Sequence, residues 1–323
     1  MRVYVTGGTG FVGSNVSRLY AGWHGLDVVV TGRASANGSP GARFAAVDLL
    51  DRPAVRSSVR EFAPDLIVHC AILNDLGSIL ADRALGWRSF VEMTRTLADA
   101  ANEVGAVLVT LSTDWVFDGT QGGADEATPP NPINLYGFLK AASELVTLER
   151  ARDPIVARVS GVNGVHWAKP RWPRSQDPGF GYFVASIVDS LEQGRPFTVW
   201  ESETINGVAT PSLATESAEM ILRLVRTGAR GVFHCCGGES TTRMGLARKA
   251  VDVFGLDPGL LASGPPDPAA LLAVPVPRDT SLTATATAET IGYRLPSVHE
   301  LLVAFREQRR TGEVRPLERE RAA

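Results

Sequence analysis

Five short runs dense in valine, isoleucine and leucine punctuate the first half of the chain. They are "RVYVTG" from Arg2, "DVVVTG" from Asp27, "LIVHCA" from Leu66, "VLVTLS" from Val107 and "IVARVS" from Ile155. Their apolar positions are nearly continuous rather than alternating, the mark of strands buried on both faces. Between them, Phe11–Gly22, Arg52–Phe62, Ser78–Val104 and Asn134–Arg152 read as helices. Strands alternating with helices predict an α/β fold: a doubly wound parallel sheet covered on both faces.

The second half is less regular. Residues 164–178, "GVHWAKPRWPRSQDP", carry Pro, Trp and Arg and predict a loop. Helices are expected over Gly179–Gln193, Pro211–Thr227, Thr241–Phe254 and Ser297–Gln308, with strands at "FTVW" and "GVFHCC". Residues 257–288, rich in Pro, Ala and Thr, are expected to wrap the surface. Residues 311–323 form a charged tail. This organisation predicts a nucleotide-binding domain over 1–163, with 197–232 returning to it. A smaller C-terminal lobe for substrate would comprise 164–196 and 233–310.

Composition narrows the function classes. With 44% apolar residues, 21% charged residues and a net charge of −3, the chain is an ordinary globular protein without a basic footprint for nucleic acid. No apolar run approaches the roughly 20 residues that span a bilayer. The chain enters a strand at once, without a leader pattern, and its three cysteines make no disulfide framework, so a cytoplasmic setting is expected. His69–Cys70 and His234–Cys235–Cys236 sit inside apolar runs. Neighbouring strand residues point to opposite faces, so these pairs suit packing better than a metal, and no metal site is expected.

Chemistry enters with "VYVTGGTGFVG", in which Gly7-x-x-Gly10-x-x-Gly13 joins the first strand to the first helix. Glycines permit a tight turn and close approach of backbone to a pyrophosphate, while the helix N-terminus offers free N–H groups and a positive dipole end. This is a dinucleotide-binding turn of the Rossmann type, with Thr9, Phe11 and Val12 between its glycines as further contacts. The second strand ends "VVVTGRAS", where Thr31 and Gly32 stand in the positions of the acidic residue that suits a ribose 2′-hydroxyl. Arg33 follows and suits a 2′-phosphate, so NADP(H) is favoured, with NAD(H) the alternative. Asp48, with Leu49, is the expected adenine contact. Further on, Tyr136 and Lys140 lie four apart on one helical face, either as an exposed pair or as a lysine tuning a tyrosine for proton transfer.

"TGGTGFVG", "LSTDWVFDGT" and "NLYGFLKAASE" together resemble an extended short-chain dehydrogenase/reductase. "STDWVFDGT" and "RDTSLTATATAETIGYRLPSVHELL" are similar to its dTDP-4-dehydrorhamnose reductase-like branch, which also includes the regulatory β-subunits of methionine adenosyltransferase. The resemblance runs from Met1 to about Arg309. It implies that Thr113 binds the substrate oxygen, that Tyr136 donates the proton, and that Lys140 holds the nicotinamide ribose and lowers the tyrosine pKa. It places Cys70, Ala71 and Ser112 beside the cofactor. On the substrate side it points to Asp114, Asn163, Trp167, Arg171 and Arg278, with Lys169, Trp172 and Arg174 in the same loop, and it makes Glu216 a structural position. The implied activity is reduction of a nucleotide-linked 4-keto-6-deoxysugar. Epimerisation and a non-catalytic cofactor-binding subunit are the alternatives, and homodimerisation is a further option. Two positions depart from the family pattern: Phe90 stands where many relatives carry asparagine, and Gly161 where reductases carry tryptophan. Trp115 follows Asp114 where dehydratases carry their glutamate, which disfavours dehydration.

Overall fold

A computed structural model of the chain describes residues 1–32, 40–73, 75–169 and 176–315. Its centre is one parallel sheet of β1 (Arg2–Thr6), β2 (Asp27–Gly32), β3 (Arg43–Ala46), β4 (Leu66–His69), β5 (Val107–Thr113), β6 (Pro154–Val159) and β7 (Gly231–His234). The spatial order is β7-β6-β5-β4-β1-β2-β3. The chain therefore starts mid-sheet and winds outward both ways, leaving a crevice where the carboxyl ends of β1 and β4 part. Val3, Val5, Leu66, Val68 and Val109 pack on one face, whereas Tyr4, Ile67 and Leu108 pack on the other. Both faces are covered, which is why consecutive residues of these strands are apolar.

The main helices are α1 (Phe11–Ala21), α2 (Arg52–Phe62), α3 (Met93–Val104), α4 (Leu135–Arg150), α5 (Phe183–Glu192), α6 (Ala214–Thr227), α7 (Arg243–Phe254) and α8 (Val298–Thr311). α1 and α6 cover one face of the sheet, and α2 and α3 the other. α5, α7 and α8 bury Phe183, Ile187, Leu246, Val251, Leu301 and Phe305 in a separate core, that of the lobe. Among the described residues no helix is long and apolar enough to cross a membrane.

Four expectations change. The single helix over Ser78–Val104 is broken, because Asp75 and Asp82 each accept a backbone N–H three residues ahead and so start separate short helices, Leu76–Ala81 and Arg83–Trp87. A π turn, Arg88–Glu92, then leads into α3. Phe197–Trp200, expected in the segment returning to the sheet, instead pairs with Leu261–Gly264 outside it. β7 pairs with β6, so the return runs through α6 and β7, the later part of 197–232 together with the two residues after it. α5 begins at Phe183 rather than Gly179, because Gly179 and Gly181 favour a turn over the helix interior.

Candidate active site

β1 ends at Thr6 and the chain doubles back into α1, with the Gly10 N–H donating to the Gly7 carbonyl at 2.9 Å. Gly7 has φ +67°, which ordinary side chains rarely adopt. A Cβ on Gly13 would overlap the Gly7 carbonyl oxygen and lie 3.0 Å from the Gly8 Cα. The first turn of α1 thus presses against its own approach loop, and no side chain caps it. Its N–H groups remain for an anion, with the helix dipole adding to the attraction. This cradle fits a dinucleotide pyrophosphate.

The turn lines a cleft of about 990 Å³. Gly7, Thr9, Gly10, Phe11, Val12 and Gly13 all line it. Asp48 and Leu49 line its far side, where the Asp48 carboxylate accepts the Leu50 N–H at 3.0 Å and shapes the turn after β3. Cys70 and Ala71, past the end of β4, form its floor together with Ser112 and Thr113 at the end of β5. Arg33 and Arg171, with the neighbouring Trp172 and Arg174, lie outside the described residues.

Thr113, Tyr136 and Lys140 line the same cleft. Thr113 Oγ1 donates to Asp114 Oδ1 at 3.0 Å and accepts the Trp115 N–H at 3.3 Å. Asp114 also lines the cleft, but its second oxygen accepts from Ser160 Oγ at 2.7 Å. Burial raises its pKa, against the hydroxyls of Thr280, Ser160 and Thr113. Asn134 caps α4 by accepting the Gly137 N–H at 2.9 Å. A Cβ on Gly137 would overlap the Trp115 carbonyl oxygen, so glycine here lets α4 close on the turn after β5. That close approach brings Tyr136 and Thr113 to one cavity.

Tyr136 sits between two aromatic edges, with Phe90 at 6.1 Å and 84° and Trp115 at 6.0 Å and 81°. Phe90 belongs to the π turn, and its ring centroid is also 5.8 Å from Lys140 Nζ. Lys140 is 6% exposed, and its Nζ donates to the Leu111 carbonyl at 2.8 Å. Burial brings its pKa down from 10.5 to about 8, with Cys70 and Glu144 opposing the fall. Burial and then the Lys140 charge push His69 to about 3, so its ring is neutral, with Nδ1 2.8 Å from Thr6 Oγ1. Burial raises the Cys70 thiol to about 12, which removes it as a nucleophile. Among the described residues no group of three His, Cys, Asp or Glu can hold a metal ion.

Beneath the site lies a buried ion pair. Arg158 on β6 donates Nε to Glu144 Oε1 at 2.9 Å and Nη2 to Oε2 at 2.8 Å. Ser112 Oγ donates to the same carboxylate at 2.5 Å. The carboxylate of α4 is thereby tied to both strands that flank the cleft floor.

Three expected substrate residues do not line the cleft. Asn163 donates Nδ2 to the Gly161 carbonyl at 2.7 Å and supports the backbone there. Trp167 donates Nε1 to Asn15 Oδ1 at 3.0 Å, and Arg18 lies 4.9 Å from its ring, so it fastens the loop to α1. Arg278 is exposed and ion-paired with Glu203. Glu216 is buried and accepts from the Tyr293 hydroxyl. The lobe side of the cleft is instead Gln176, Asp177, Gly179, Phe180, Tyr182 and Asn206. Sequence reading missed all six, and the only local signal was the breaker cluster "DPGFGY", Asp177–Tyr182.

The chain that brings a glycine cradle and Thr113, Tyr136 and Lys140 to one cleft matches a known family model. The model of the RmlD substrate binding domain covers residues 1–310. The chain belongs to that family. Among curated relatives, a dTDP-4-keto-6-deoxy-D-glucose reductase of Streptomyces niveus is 30% identical over 82% of this chain and 83% of its own. The methionine adenosyltransferase 2 subunit beta of Bos taurus is 28% identical over 79% of this chain and 72% of its own. A solved dTDP-4-dehydrorhamnose reductase of Bacillus anthracis in complex with NADP shares the fold, with a TM-score of 0.74 and 22% identity over 94% of this chain and 98% of that one. Both kinds of relative that the motifs suggested, a sugar-nucleotide reductase and a methionine adenosyltransferase β-subunit, are thus similar to this chain.

Proposed function

We propose that the protein is an NADPH-dependent reductase of a nucleotide-linked 4-keto-6-deoxysugar. The observation that carries this reading is the meeting of Thr113, Tyr136, Lys140 and the glycine cradle in one cleft. The similar structure in complex with NADP and the reductase relative from Streptomyces support the cofactor and the substrate class. The first turn of α1 would hold the pyrophosphate, and Asp48 and Leu49 the adenosine end. A reduced nicotinamide bound at the other end supplies hydride to a carbonyl carbon. Thr113 orients the carbonyl oxygen through its hydroxyl, which is anchored on Asp114. Tyr136 gives that oxygen a proton, and the Lys140 ammonium stabilises the phenolate left behind. Phe90 and Trp115 keep water from the ring of Tyr136.

The test is oxidation of NADPH, followed at 340 nm, with a panel of dTDP-4-keto-6-deoxyhexoses. Tyr136→Phe should lower turnover by about 10²–10⁴ while NADPH still binds. A second reading, a cofactor-binding subunit without catalysis of its own, draws on the relatives named as subunit beta of methionine adenosyltransferase. It predicts equal behaviour of wild type and Tyr136→Phe with every substrate.

A further inference from the structure

The lobe wall of the cleft has little regular structure, since residues 176–182 lie between a loop and the start of α5. Something other than a helix or strand must fix its path. One side chain reaches nearly all of it. Arg243, the first residue of α7, is 2% exposed and lies over the rings of Phe180 and Phe183, 5.2 and 4.6 Å from their centroids, where the two rings meet edge to face. Its Nη1 donates to the Gly179 carbonyl at 2.5 Å and to the Asn206 carbonyl at 3.3 Å. Its Nη2 donates to Gln176 Oε1 at 3.2 Å and to the Asp177 carbonyl at 3.0 Å. All four acceptor residues line the cleft.

We propose that Arg243 is the positioning residue of the substrate half of the cleft, setting the path of Gln176–Phe180 and Asn206 so that they meet the sugar nucleotide. Three of its four acceptors are backbone carbonyls, so the guanidinium shapes the chain itself rather than a rotamer. The planar fork is needed, because a lysine offers one point donor where four acceptors lie spread out. A buried cation is costly to the fold, and an apolar side chain against these two phenylalanines would pack with less penalty. Burial pulls the guanidinium pKa down to about 10, so it stays charged at neutral pH. Its own backbone is held as well, with the Arg243 N–H donating to the Gly207 carbonyl at 3.1 Å. The wall is held from outside too: the Asn206 N–H donates to the Pro178 carbonyl at 2.8 Å, and Gln176 Nε2 to the Thr198 carbonyl at 2.6 Å. Without Arg243 those two contacts remain, and the wall loosens while the lobe stays folded.

This role rests on the reductase reading, and the test separates the two. Arg243→Lys and Gln176→Ala are compared with wild type in three measurements. The first is NADPH affinity by fluorescence, the second affinity for dTDP-glucose by calorimetry, and the third amide hydrogen exchange across residues 176–182. For Arg243→Lys, dTDP-glucose binding should weaken by about 10- to 100-fold, the loss of one or two hydrogen bonds to a charged group. NADPH affinity should stay within about twofold, because none of the groups that Arg243 bonds belongs to the glycine cradle. Exchange at 177–181 should quicken selectively. Gln176→Ala, which removes one acceptor, should show the same pattern more weakly. Unchanged dTDP-glucose affinity in a folded Arg243→Lys protein, or parallel losses of both ligands, overturns the proposal. If wild type binds NADPH but no sugar nucleotide, the reductase reading fails. Selective exchange at 177–181 then still supports the clamp, and unchanged exchange overturns it.

Discussion

Replacing Lys140 with methionine should make the protein more stable and less active, and the two effects have one cause. The ammonium is buried, and its pKa falls from 10.5 to about 8. At about 1.4 kcal/mol per decade of proton affinity, the charge costs the folded state about 3 kcal/mol at neutral pH. The hydrogen bond to the Leu111 carbonyl contributes about 1 kcal/mol in return, and methionine forfeits it. Lys140→Met should therefore gain about 2 kcal/mol at pH 7. The gain depends on pH in a definite direction. Between about 8 and 10.5 the unfolded lysine keeps its proton while the folded one has lost it, so wild-type stability rises with pH. The variant has no such slope, and near pH 10.5 its advantage should vanish or reverse by about 1 kcal/mol. Urea unfolding of the cofactor-free proteins, followed by tryptophan fluorescence at pH 7 and pH 10, measures both points. NADPH-dependent turnover of the same variant should fall by about 100-fold or more. A Lys140→Met protein less stable than wild type at pH 7, or a stability gap constant across this pH range, would refute the argument that burial disfavours the charge.

Three further outcomes follow from the same geometry. Gly13→Ala should remove measurable NADPH binding in a fluorescence titration, because the new methyl group overlaps the Gly7 carbonyl oxygen and moves the turn. Arg158→Ala should cost about 3–5 kcal/mol in chemical denaturation, since it strands the Glu144 carboxylate beneath the cleft floor. The kcat/KM for NADPH, which reports the free enzyme, should fall as pH rises through about 8 with loss of the Lys140 charge; a flat profile to pH 9 would separate Lys140 from the pH-dependent step.

The parts of this molecule legible in its sequence are those in which a few neighbouring residues carry the whole reason for the structure. Buried parallel strands must be apolar at successive positions, so β1, β2, β4, β5 and β6 stand out as runs. A turn that admits no Cβ must carry glycine, so the cradle stands out as well. The break in the helix before α3 was also written locally, in Asp82, yet this aspartate reads equally well as an exposed helix residue until its N-cap bond is seen. β7 escaped its proper place because an apolar strand does not reveal which sheet it joins. It pairs with β6 while α6, just before it, packs on α1 nearly 200 residues away in the chain, contacts that the run itself does not show.

The substrate side was hidden for a stronger reason. Trp167 and Arg278 have side chains suited to a sugar or a phosphate, and the family resemblance nominates them, but each is engaged elsewhere, on α1 and on Glu203. The residues that do face the cleft, Gln176, Asp177 and Asn206, are ordinary polar residues in a loop. What singles them out is the cation behind them, 37 to 67 residues further along the chain. Side-chain type identifies a site when the chemistry demands one residue, as the proposed proton transfer does of Tyr136 and Lys140. Recognition of a sugar demands only donors and acceptors in the right places, and many residues supply them. The information then resides in whatever fixes the backbone, which here is a guanidinium that touches the loop and leaves the substrate to others.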